Sequence, residues 1–153
     1  WRIYAAEAYS CGLYFAFHLR TVMPGDPTST DSGILDFLKD YSSFYKTNGE
    51  VYEKSTNTGL SASLDKNGVM YNVTASSDKE KYYVHLVNHN YSSVISEQKN
   101  VSVNFRPDFA PSKISSLSPD GNADVLIPFT NSGGSVSFTV PELLYYKVVV
   151  VEK

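Results

Sequence analysis

The chain has 153 residues, enough for one domain or for one small domain and a piece of another, and its formal net charge is −3. Its 13 Lys and Arg against 16 Asp and Glu form no basic stripe, so we expect no nucleic acid and no anionic membrane surface as a partner. The longest apolar run, Val148 to Val151, is far shorter than the roughly 18 residues of a spanning helix, and one cysteine excludes an internal disulfide.

Residues 1–54 combine helical and extended patterns. A first helix is predicted over Trp1–Ser10, with small and aromatic residues on one side: Tyr4, Ala5, Ala8 and Tyr9. Gly12 follows where a left-handed helix cap is wanted, and Cys11 beside it is expected to be a packed thiol. The chain starts at Trp1 rather than Met, so we expect the true start of the protein to lie elsewhere.

Leu13–Thr21 is predicted to be a strand because it is short, aromatic and without a helical period. One face is apolar, whereas the other becomes polar towards the C-terminal end, where it carries His18 and Arg20. A loop follows over Thr21–Ser32, rich in Pro, Gly, Ser, Thr and Asp. Its last residues, Asp31 or Ser32, are expected to cap the next helix.

A second, amphipathic helix is predicted from Ile34 to the Asn48-Gly49 pair. Its apolar residues recur at i, i+3 and i+4 spacing: Ile34, Leu35, Phe37, Leu38, Tyr41, Phe44 and Tyr45. We therefore expect one face of this helix to be buried.

Residues 55–153 predict an antiparallel β-sandwich of about eight short strands separated by turn signals. The predicted strands are Leu60–Leu64, Val69–Ala75, Tyr82–Val87, Val101–Phe105, Ile114–Leu117, Val125–Phe129, Val136–Val140 and Tyr145–Val151. The chain is thus α+β by content, with one domain boundary between residues 54 and 55.

A single strand between two helices has no sheet to join within residues 1–54, because parallel strand-helix units bury both faces of a shared sheet. The predicted order of helix, strand, long loop and helix therefore indicates a part of a larger α/β domain. A polar strand end that leads into a long loop is typical of the site-bearing face of a (β/α)8 barrel.

Several phrases resemble (β/α)8-barrel glycoside hydrolases. Arg2–Gly12 followed by Tyr14–Leu19 is similar to the helix and eighth strand that end such a barrel, and Asp40–Tyr52 to its closing helix. Tyr83–Tyr91, with the run His-Leu-Val-Asn, and Val140–Val150 resemble strands of the accessory β-sandwich that follows the barrel. The resemblance implies the C-terminal portion of a carbohydrate-active enzyme: an end fragment of a barrel (residues 1–54) followed by an accessory sandwich (residues 55–153).

The same resemblance implies that the catalytic residues lie on barrel strands outside this chain, so the catalytic carboxylate pair is unknown here. His18 and Arg20 would line the sugar-binding end, with the loop residues Asp26 and Asp31 as weaker candidates, and a polar strand end and helix caps are the alternatives. The implied partners are an oligo- or polysaccharide and the remaining barrel, in the same protein or a companion chain. Glu7 is expected to face solvent or a neighbouring helix.

No cofactor and no metal are predicted. His85 shares a strand face with Tyr83 and Val87, while His89 falls in the following turn, and no third ligand has suitable spacing. Asp120–Asp124 resembles the first half of a calcium loop but lacks its Gly and Glu, so a turn is predicted.

Two other classes of function stay open. A non-catalytic carbohydrate-binding or cell-surface module could stack sugars on tyrosines, and paired tyrosines on strands place one ring in the core and one outside: Tyr82 with Tyr83, and Tyr145 with Tyr146. An interaction domain without any ligand is the third reading. We expect a secreted or cell-surface location.

Overall fold

The computed structural model describes residues 2–13, 34–90, 94–120 and 125–153. These residues form three layers: a helical layer, a six-stranded sheet and a four-stranded sheet. The helices are α1 (Arg2–Ser10), α2 (Ile34–Thr47) and α3 (Gly49–Tyr52).

Both sheets are antiparallel throughout. Sheet A contains β1 (Ser55–Asn57), β3 (Val69–Ser76), β4 (Lys81–Asn88), β6 (Lys113–Leu117), β7 (Val125–Leu126) and β10 (Tyr146–Glu152), in the order β1-β3-β4-β10-β6-β7. Sheet B contains β2 (Ala62–Leu64), β5 (Gln98–Phe105), β8 (Phe129–Ser132) and β9 (Ser135–Leu143), in the order β2-β5-β9-β8. The predicted β-sandwich is confirmed.

Two strand predictions differ from the structure. The predicted strand Val125–Phe129 is two strands, β7 in sheet A and β8 in sheet B, because Pro128 lies between them and has no N–H to donate to a ladder. The short edge strand Ser55–Asn57 was not predicted, since three polar residues give no apolar alternation. The described residues thus form ten strands rather than about eight.

Sheet A is covered on both faces. Towards sheet B lies the inner core, which includes Val84, Leu86 and Val149; towards the helices lies the helix-side core, which includes Tyr9, Tyr41, Tyr52, Tyr83 and Tyr146. Because successive side chains of a strand point to opposite faces, the central strands β4 and β10 are buried along almost their whole length.

This double coverage corrects the expectation for the tyrosine pairs. Tyr82 and Tyr83 point to opposite faces of β4, yet both are buried, Tyr82 in the inner core and Tyr83 in the helix-side core. Tyr146 is fully buried and Tyr145 is half-buried. Two adjacent tyrosines on a strand place one ring in solvent only where one face of the sheet is exposed to solvent.

Helix α1 ends in the predicted glycine cap. Gly12 has φ +71°, its N–H donates to Tyr9 O, and Leu13 N–H donates to Ala8 O, which together form a Schellman motif. The predicted helix face was partly wrong, because the side of α1 that packs on sheet A carries Ala5 and Tyr9, whereas Tyr4 is 63% exposed.

Helix α2 ends next to Asn48, as predicted, and its aromatic residues Phe37, Tyr41 and Tyr45 are buried in the helix-side core. The chain then forms one further helical turn, α3, which was not predicted and which buries Val51 and Tyr52. The predicted strand Leu13–Thr21 and loop Thr21–Ser32 lie outside the described residues, apart from Leu13. The barrel origin of residues 1–54 therefore stays a prediction.

Candidate functional site

The four sugar-binding candidates of the sequence, His18, Arg20, Asp26 and Asp31, all lie outside the described residues. The described part of the chain concentrates its polar groups elsewhere, at the junction between the helical layer and sheet A.

A chain of four polar side chains crosses the helix-side core. Tyr52 Oη lies 3.1 Å from Tyr146 Oη, Tyr146 Oη lies 2.6 Å from His85 Nδ1, and His85 Nε2 lies 3.1 Å from Thr74 Oγ1. Every contact is satisfied if Tyr52 donates to Tyr146, Tyr146 donates to Nδ1, and the Nε2 proton is donated to Thr74. This chain joins helix α3 to the strands β10, β4 and β3.

His85 is 1% exposed, and burial lowers its pKa to about 3. Its ring is therefore neutral at physiological pH, with one nitrogen acting as a donor and the other as an acceptor. Burial likewise raises the pKa of Tyr146 well above its ordinary value. These groups hold the junction together; none of them is poised for proton transfer near neutral pH.

The predicted placement of the two histidines on β4 and after it is confirmed. His85 shares the helix-facing side of β4 with Tyr83 and Val87, and His89 follows the strand. His89 Nε2 contacts Glu7 Oε1 of α1, so Glu7 meets the sandwich. Within the described ranges, no three His, Cys, Asp or Glu side chains converge on a possible metal position.

A second contact, a hydrogen bond, joins helix α1 to the sandwich. The Asn72 amide of β3 donates to Ser10 O at the C-terminal end of α1, at 2.8 Å. The neighbouring Cys11 is exposed, so the expectation of a packed thiol was wrong.

Asp120 fastens the middle of α2 to the start of β10. Its Oδ1 accepts the Tyr41 hydroxyl at 2.9 Å, and its Oδ2 accepts the N–H groups of Tyr145 and Tyr146 at 3.1 and 2.9 Å. Burial raises the pKa of this carboxyl, although the three hydrogen bonds and the nearby Arg2 oppose that shift. Asp120 thus acts as a structural clamp, while residues 121–124 of the predicted turn lie outside the described residues.

A cleft of about 640 Å³ opens beside this clamp, and we call it the junction cleft. Its walls come from α1, α2 and the two loops that precede β7 and β10, and they include Arg2, Phe37, Asp40, Ser43, Phe44 and Asp120. The Arg2 guanidinium lies over two rings, with its carbon 5.5 Å from the centroid of Phe37 and 5.4 Å from that of Tyr145.

The outer face of sheet B has a different character. A shallow groove of about 660 Å³ runs over short hydroxyl and amide side chains, among them Ser63, Ser102, Asn104, Thr130, Ser137 and Thr139. Asn104 donates to Ser137 Oγ at 2.9 Å and accepts from Ser135 Oγ at 2.7 Å, so these groups bond to one another. The four tyrosines expected as sugar platforms are buried or half-buried instead.

Sequence reasoning missed Arg2, Asp120 and Tyr146 as junction residues. Tyr146 was noted only as half of a tyrosine pair, and its partner Tyr52 lies 94 residues away along the chain. The one signal for Asp120 was its turn phrase with Pro119 and Gly121, which predicts a loop but does not indicate what the carboxylate binds.

In the described part of the chain, no helix is both long enough and apolar enough to cross a membrane. No protein-family model and no curated protein matches the sequence. Among solved structures, the α-L-fucosidase isoenzyme 2 from Paenibacillus thiaminolyticus is similar, at 22% sequence identity and a TM-score of 0.48. The match covers 60% of this chain and 15% of the fucosidase chain, so this chain spans a small part of that enzyme's length.

Proposed function

We propose that this chain is the C-terminal portion of a glycoside hydrolase, in which the β-sandwich braces the last helices of a catalytic (β/α)8 barrel. In this proposal α1 is the helix before the eighth barrel strand, Leu13–Thr21 is that strand, and α2 with α3 closes the barrel. His18 and Arg20 would contact sugar, with Asp26 and Asp31 in the adjoining loop, and the barrel strands outside this chain would supply the two catalytic carboxyl groups.

The observation that carries this proposal is the helix-side core. Two helices that are separated by a predicted strand and loop both pack on one face of sheet A, and a buried polar chain ties α3 to three strands of that sheet. Partners that meet through such a large apolar contact move as one unit. The sandwich is thus suited to fix the end of a barrel in place.

The outer side of α1 supports the same proposal. Tyr4 is 63% exposed on this helix, while the opposite side of the helix packs on sheet A. Exposed apolar side chains on a helix that is already packed on one side suit a second layer of protein. In the barrel reading, that layer is the neighbouring barrel helix.

The test is the native mass and activity of the protein purified from its source. We expect a polypeptide larger than 17.0 kDa, or a companion chain that carries the other barrel strands, together with hydrolysis of glycosidic bonds. A lone chain of 17.0 kDa without hydrolytic activity would refute the proposal.

A further inference from the structure

The junction cleft has the position of a ligand site. It lies where the helical layer meets the sandwich, and its volume of about 640 Å³ falls within the ~300–1,000 Å³ of small-molecule pockets. Its walls come from separate parts of the chain, and the Asp120 clamp joins two of them, since it holds α2 against the start of β10.

Arg2 supplies hydrogen-bond donors that are oriented before any ligand arrives. Its guanidinium carbon lies 5.5 Å from the centroid of Phe37 and 5.4 Å from that of Tyr145, and these contacts favour one position of the group. Arg2 forms no hydrogen bond or ion pair with the described residues, so none of these residues occupies its N–H groups. A guanidinium carries five such donors.

The α2 side of the cleft supplies acceptors. Asp40 and Ser43 are exposed, and neither forms a hydrogen bond or ion pair with the described residues. Phe44 is half-buried on the same helix and adds apolar surface to the wall. The cleft thus combines a guanidinium donor, an exposed carboxylate, a hydroxyl and aromatic rings.

This combination fits a neutral polyhydroxylated ligand. An anion would meet the carboxylates of Asp40 and Asp120, and a cation would meet Arg2. A sugar unit presents hydroxyl donors and acceptors around its rim and apolar C–H groups on its face, which suit the polar and aromatic walls respectively. No net charge on the ligand is required.

We infer that the junction cleft binds a sugar unit of a neutral oligosaccharide, with Arg2 and Asp40 as its polar anchors. The choice of a sugar over another polyol rests on the proposed function. This site is separate from the sugar-binding strand end predicted at His18 and Arg20.

The test uses an array of short neutral oligosaccharides probed with the purified chain, followed by titration calorimetry with the strongest hit. Arg2→Met keeps a long unbranched side chain and removes the donors, and Asp40→Asn keeps the size and removes the charge. We expect at least tenfold weaker binding for each, because hydrogen bonds to charged groups are among the strong ones. Asp65→Asn, on the sheet B groove, is the matched control and should bind as the parent does.

Binding of no neutral oligosaccharide, or binding that Arg2→Met and Asp40→Asn leave unchanged, would overturn the inference. Since Asp40 is exposed on α2, its variant should fold even if Arg2→Met does not. If the protein from its source hydrolyses glycosidic bonds while the purified chain binds no oligosaccharide on the array, the cleft inference fails and the proposed function stands. If binding to the array depends on Arg2 but neither a larger polypeptide nor hydrolysis of glycosidic bonds is found, the cleft inference stands and the proposed function fails.

Discussion

The hydroxyl of Tyr146 lies 2.6 Å from Nδ1 of His85, and both side chains are fully buried between sheet A and the helices. This contact joins the two central strands of the sheet on the face that holds the helical layer. It links the fold of the sandwich to the placement of the helices.

Tyr146→Phe should destabilise the fold by about 2 to 4 kcal/mol, because His85 Nδ1 and the Tyr52 hydroxyl then lose their partner while buried. Tyr52→Phe is the matched control and should cost only about 1 kcal/mol, since Tyr146 can still donate to His85. Urea unfolding of both variants gives the comparison. Equal losses for the two would show that the chain of hydrogen bonds does not pass through Tyr146.

His85 should make the fold acid-sensitive. Its pKa is about 3 when folded and 6.5 as the ordinary value, so the unfolded chain takes up a proton first as pH falls. The contribution of neutral His85 to the free energy of unfolding is fully present above about pH 6.5. It is lost towards pH 3, at about 1.4 kcal/mol per pH unit within that window. Between pH 7 and 5, the unfolding free energy of the parent should fall with this slope relative to that of His85→Gln. Parallel curves for the two proteins would contradict the assignment.

Asp120→Ala should cost about 2 to 4 kcal/mol, because the N–H groups of Tyr145 and Tyr146 and the Tyr41 hydroxyl all lose their acceptor. Asp40→Ala, an exposed change on the helix that carries Tyr41, should stay within about 0.5 kcal/mol of the parent. Thermal melts of both variants test this, and an Asp120→Ala protein as stable as the Asp40→Ala protein would disprove the clamp.

Asn72→Ala should loosen α1 and leave the sandwich intact, since it removes the donor to Ser10 O. A loss of about 1 kcal/mol corresponds to roughly fivefold faster amide exchange in Arg2–Ser10. Asn104→Ala, which breaks side-chain bonds on the outer face of sheet B, should leave exchange in α1 unchanged. Faster exchange across both sheets in Asn72→Ala would mean that the contact supports the whole fold.

The sandwich and α2 could be predicted from sequence because their burial patterns are local. Alternation shows in Val101, Val103 and Phe105 of β5, and the helical period shows in Phe37 and Tyr41 of α2. What alternation does not reveal is whether the second face of a sheet is covered. One ring of the Tyr82 and Tyr83 pair was therefore expected outside, yet both are buried, and the helices that cover Tyr83 are distant in sequence.

The junction could not be predicted for a related reason. Thr74 and His85 are partners across two neighbouring strands, but Tyr146 and Tyr52, which complete the set of hydrogen bonds, lie 94 residues apart in the sequence. Only the folded arrangement of strand β10 beside β4 brings these side chains together.

The most direct test of the proposed barrel origin is hydrogen exchange of the backbone amides in residues 14–21. In the protein purified from its source, we predict slow exchange there, because the segment pairs with neighbouring barrel strands, and fast exchange in the 153-residue chain alone. Equal protection in both would mean that the segment finds its partners within these residues, and the proposal of a barrel strand would be wrong.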